Sequence, residues 1–100
     1  MSDLPTDFEI EREFGLSHYD FFRIFPRIEP TFVKISERIV EVQRDDGRQL
    51  QIEISAEKMR HFATLKIPYI NISFRFAGWS DIQRAEFFKK FDLSFQKGGG

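Results

Sequence analysis

The sequence predicts an α+β two-layer sandwich: a mostly antiparallel sheet of four to five strands with two helices packed on one face, in the order β-α-β-β-β-β-α. Three observations predict it. Several segments alternate apolar and polar residues with the period of two that marks a half-buried strand. Two others gather their apolar residues into one arc when plotted at about 100° per residue, as an amphipathic helix does. Each of these strands and both helices have a single apolar side, so the economical arrangement buries those sides against one another.

Taken in order, residues 7–14 alternate first, with Phe8, Ile10 and Phe14 on one side and Glu9, Glu11 and Glu13 on the other. Arg12 breaks the rule by falling on the apolar side. It either snorkels at a sheet end or marks a polar pocket within the core layer. Gly15 ends the strand. Ser17 is an N-cap candidate, with Asp20 where a capping box carries Glu or Gln. His18, Phe21, Phe22, Ile24, Phe25 and Ile28 share one side of the helix that follows, and Pro26 and Pro30 predict its end by Phe25 to Ile28. A short apolar strand is expected over 31–35, with a turn at Ser36-Glu37. Then Val40 and Val42 oppose Ile39, Glu41 and Gln43, Asp45-Asp46-Gly47 supplies hairpin turn residues, and Leu50, Ile52 and Ile54 alternate with Gln49, Gln51, Glu53 and Ser55.

Residues 56–66 carry mixed signals, because Glu57, Lys58 and Met59 favour helix while Phe62 to Leu65 fit either state. They read as a turn or irregular connection with at most one helical turn. From Tyr69 to Phe76 the alternation is strict again, with Ile70, Ile72, Phe74 and Phe76 inward and Tyr69, Asn71, Ser73 and Arg75 outward. Ser80-Asp81-Ile82-Gln83 fits a capping box. It leads a helix whose apolar arc is Ala85, Phe87, Phe88, Phe91 and Phe95, with Asp81 early and Lys89 and Lys90 late, as the helix dipole favours. The expected organisation is one domain over residues 1–97 and a flexible glycine tail over 98–100.

Composition bounds the function. A chain of 100 residues forms one domain large enough for an ordinary core, and without cysteine it has no disulfide framework and no thiol chemistry. A net charge of -1 argues against a general nucleic-acid binder. The 13 phenylalanines predict a bulky, dry core. No apolar run approaches the ~18 residues of a membrane span, and the start lacks a secretory leader, so a cytoplasmic location is expected, with no membrane partner.

Catalytic motifs are missing. His18 and His61 sit in different segments without metal-ligand spacing, and there is no GxSxG, phosphate-binding loop or GxGxxG. His18 reads as a core or boundary histidine with one satisfied hydrogen bond. The aromatic strand YINISFRF is a poor match to the strands of RNA-binding sheets, since its phenylalanines share the buried parity. No metal or other cofactor is expected. The remaining candidate is the outward sheet face, and the binding residues assigned to it are Tyr69, Asn71 and Arg75, with Trp79 beside the strand end.

The expected function is a small non-catalytic binding or accessory module that contacts a protein partner or a second copy of itself. An alternative is a small-ligand or enzymatic pocket between sheet and helices, reached by Arg12 or His18. A further alternative comes from the terminal Gly99-Gly100, which resembles the tail of ubiquitin-like carriers and implies activation of the terminal carboxylate. The closing helix departs from that family, whose tail follows a strand.

Overall fold

The computed structural model describes residues 5–98. The elements are β1 (Phe8–Phe14), α1 (His18–Ile28), β2 (Val33–Ser36), β3 (Ile39–Gln43), β4 (Gln49–Ile54), β5 (Lys58–Phe62), β6 (Leu65–Ala77) and α2 (Asp81–Gly98). This is the expected α+β sandwich with one strand more than foreseen, because residues 58–62 form β5 where a turn or irregular connection was expected. All strand pairs are antiparallel, and the sheet order is β1-β6-β4-β3-β2, with β5 paired to β6 alone.

Strand register explains why the helices lie on one side. Phe8, Phe76, Leu50 and Val42 form one inward row, and Ile10, Phe74, Ile52 and Val40 the next. Phe21, Ile24, Phe25 and Ile28 of α1 and Phe87, Phe91 and Phe95 of α2 pack against these rows in a single core. The two helices meet there, with the Phe21 and Phe95 rings stacked at 5.7 Å. Edge-on ring contacts such as Phe74 to Phe91, at 5.2 Å, let many phenylalanines share this layer. Ala85, expected within the apolar arc of α2, is exposed instead, and the buried stripe begins two residues later at Phe87.

Local chemistry sets the ends. Ser17 caps α1 by accepting from the Asp20 amide at 3.1 Å, while the Asp20 carboxylate turns outward to Arg23. Pro26 lies inside α1, which continues to Ile28. At α2 the capping box closes both ways: the Ser80 amide donates to Gln83 Oε1 at 2.9 Å, and the Gln83 amide donates to Ser80 Oγ at 3.2 Å. The β3–β4 turn needs a left-handed residue and has Gly47 there, at φ 96°. The helix α2 runs through Gly98, so the expected tail loses its first residue to the helix. Gly99 and Gly100, on which the carrier resemblance rests, lie outside the described residues. No described helix is long and apolar enough to cross a membrane.

The strand β6 is 13 residues long, and only its second half lies in the five-stranded sheet. Its first half pairs with β5, from Lys58 opposite Tyr69 to Phe62 opposite Leu65. Between Ile54 opposite Ile72 and Lys58 opposite Tyr69, the β4–β5 side carries one residue more than β6, so β5 continues β4 past a bulge. The result is a two-stranded arm that prolongs the sheet beyond β1 and the helices, and the molecule extends 48 × 28 × 21 Å.

Candidate interaction surface

The face of the sheet away from the helices is a set of polar rows fixed by the same register. One row crosses the whole sheet: Glu9 on β1, Arg75 on β6, Gln51 on β4, Glu41 on β3 and Val33 on β2. The next contains Glu11, Ser73, Glu53 and Ile39, and a third begins with Glu13 and Asn71. No described element covers these rows.

Two of the three residues assigned from sequence are committed within this face. The Arg75 guanidinium donates to Glu9 Oε2 at 3.3 Å and to Gln51 Oε1 at 3.1 Å, and it ion-pairs with Glu53 at 3.1 Å. Gln51 is buried and passes the connection on, with Nε2 donating to Glu41 at 3.3 Å. The Asn71 amide group donates to Glu11 at 2.7 Å. These contacts cross-link four strands and leave Arg75 and Asn71 little to offer a partner. Tyr69 is different. It stands half-buried where the arm leaves the sheet, with the Arg60 guanidinium 4.4 Å from its ring centre. Arg60 also pairs with Glu13 at 3.0 Å, so Tyr69 is clasped between arm and sheet.

The arm itself is the surface that sequence reasoning missed. Phe62 is 70% exposed, Leu65 59%, Met59 46% and Ile67 42%. Parity along β6 puts Leu65 and Ile67 on the outer face with Tyr69, and pairing adds Lys58, Arg60 and Phe62 from β5. On this face the arm carries two cations, Lys58 and Arg60, and no carboxylate, while Lys66, opposite His61, lies on the other face. The outer face of the sheet carries five carboxylates, Glu9, Glu11, Glu13, Glu41 and Glu53, against one guanidinium, that of Arg75. One continuous outer face therefore has a basic, apolar half and an acidic, polar half.

Of the two residues expected to reach a pocket between sheet and helices, Arg12 is held by an ion pair and His18 borders an open hollow between α1 and β2. Arg12 bridges the layers, with Nη2 donating to both Asp92 oxygens at 3.0 and 3.1 Å. His18 Nε2 lies 2.7 Å from the Ser55 carbonyl, and because a carbonyl only accepts, that nitrogen carries the proton. The hollow beside His18 measures about 610 Å³ and is lined also by Tyr19, Phe22, Arg23, Lys34 and Glu37. A second hollow, of about 340 Å³, lies beside Trp79. Trp79 is buried and donates from Nε1 to the Gln49 carbonyl at 2.9 Å, with the Arg44 and Arg48 guanidinium groups over its ring at 5.2 and 4.8 Å. Glu29 neutralises Arg44 through two 2.7 Å bonds, and Asp46 neutralises Arg48, so little charge is left for a ligand. Among the described residues no three histidine or carboxylate groups converge as metal ligands.

Compared with known proteins, the chain matches no protein-family model, no curated protein and no solved structure.

Proposed function

We propose that the chain is a non-catalytic interaction module that engages a protein partner through the outer face of its sheet and the β arm that continues it. The observation that carries this reading is the arm, whose Phe62, Leu65, Ile67 and Met59 side chains stand in water. A two-stranded hairpin is marginal alone, and an apolar one gains most when another surface covers it. The polar sheet face contributes position and selectivity, and Tyr69 joins the two parts.

The reading is tested by capture from extracts of cells that express the chain, followed by identification of what is retained. Tyr69→Ala and Phe62→Ser should abolish capture; the exposed Phe62→Ser should melt within a few degrees of the parent, since exposed changes usually alter stability by about ±0.5 kcal/mol, whereas the half-buried Tyr69 should lose more. Arg75→Ala serves less well, because it also opens the cross-strand network of Glu9, Gln51 and Glu53. Undiminished capture by both arm variants would remove this surface.

A further inference from the structure

We infer that the partner of this face is a second copy of the chain, packed so that the arm of each copy lies over the acidic sheet face of the other. This deepens the proposed function and rests on it. The argument is charge complementarity within one surface. Its arm half presents Lys58 and Arg60 with Phe62, Leu65, Ile67 and Tyr69. Its sheet half presents Glu9, Glu11, Glu13, Glu41 and Glu53. A surface that is basic at one end and acidic at the other meets its own complement when a copy is turned by a two-fold axis lying in the interface, across the strands near Asn71, which sets the Lys58 level over the partner's Ser73 and Glu53 level. Each arm then overlies the partner's acids, so the same contact is made twice in the dimer.

The apolar side chains also find cover. On the outer face of the sheet Val33 is 58% exposed and Ile39 is half-buried, both beside the acidic rows. Lys58 forms no ion pair among the described residues and its ammonium lies 5.9 Å from the Tyr69 ring centre, so it is the cation of the arm most available to a partner, whereas Arg60 is already bonded to Glu13 of its own chain. Charge pairing at such a boundary sets register, and the buried apolar tips supply the adhesion.

Sedimentation equilibrium of the full chain over a range of concentrations tests this. The parent should be a dimer at about 10 µM, weakened by 0.5 M salt because the charge pairs are screened. The double variant Lys58→Glu, Arg60→Glu should dissociate at least tenfold more readily, and so should Glu11→Lys, Glu41→Lys. Mixing the two variants should restore association between them, because the reversed arm then meets a reversed face. A parent that stays monomeric at about 100 µM, or a mixture that fails to associate, overturns the proposal. If the chain is monomeric yet the arm variants lose capture of a different protein, the interaction-module reading stands and the second copy falls. Binding of the monomer to phosphatidylserine vesicles, lost on reversing the arm charges, also overturns it. Failure of association and of capture together removes both.

Discussion

Arg12 occupies the one charged position on the apolar side of β1, and its surroundings explain how the sheet tolerates it. Its guanidinium lies over the Phe14 and Phe88 rings at 5.3 and 5.0 Å and ends at Asp92 of α2. The pair is about one-third exposed on each side, so Asp92→Asn should cost about 1 kcal/mol or less. Arg12→Ala, which also removes the stem and the ring contacts, should cost measurably more in urea unfolding, and equal costs would show that the rings contribute nothing. Parity singled out Arg12 in the sequence, but its partner stands 80 residues away and no local pattern names it. The Glu29–Arg44 pair is a sharper case, because the Glu29 side chain is 5% exposed. Arg44→Ala strands that carboxylate and should cost about 3–5 kcal/mol, and adding Glu29→Gln should recover most of the loss. Hydrogen bonding to Glu29 raises the Arg44 pKa further above its ordinary value, so Arg44 stays charged throughout the working range. Asp46 behaves oppositely: hydrogen bonds from the Arg48 side chain and amide hold its carboxyl below 3.8. A lowered folded-state pKa stabilises at pH values above 3.8 and ceases to do so as the pH falls through the folded value. The melting-temperature gap between the parent and Asp46→Asn should therefore be constant near neutrality and close below pH 3.8.

Among the elements, α2 shows how far capping and periodicity carry. Its capping box was readable in Ser80 and Gln83, and Ser80→Ala should cost about 1 kcal/mol by freeing the Gln83 amide. The buried stripe was readable too, although the sequence did not rank its members. Phe91 is fully buried, whereas Phe88 is half-buried beside Arg12. Phe91→Ala should therefore cost about 3–5 kcal/mol and Phe88→Ala clearly less, measured by thermal unfolding. Strands β1, β3, β4 and the second half of β6 were legible because burial on one side imposes alternation. The strand β5 was not. In Lys58, Met59, Arg60, His61 and Phe62 all five side chains are exposed, so no face had to be apolar and no period could appear. Its turn was hidden as well, since Ala63 takes the left-handed conformation at φ 56° where glycine or asparagine is usual. The same logic limits the candidate site. Outward parity identified Tyr69, Asn71 and Arg75, but which of them is free depends on the residues brought opposite by register, and register is a property of the folded sheet.

For the whole molecule, stability is divided unevenly along β6. From Ile72 to Phe76 this strand is paired on both sides and covered by both helices, while from Leu65 to Tyr69 it has β5 alone and no core beneath it. A hairpin with few buried contacts opens locally at small cost, whereas a central strand is released only by global unfolding. Hydrogen exchange in the dilute chain should therefore be fast at the β5 amides and slow from Ile72 to Phe76. If a second copy covers the arm, raising the protein concentration through the dimerisation range should slow exchange in β5 and in Leu65 to Ile67. The edge β2 at Ile35 and Ser36 should change little, and added salt should return the arm to fast exchange. Protection that rises with concentration in the arm alone would tie its stability to association. Exchange independent of concentration would leave the arm a local hairpin whose apolar tip is not covered by another copy.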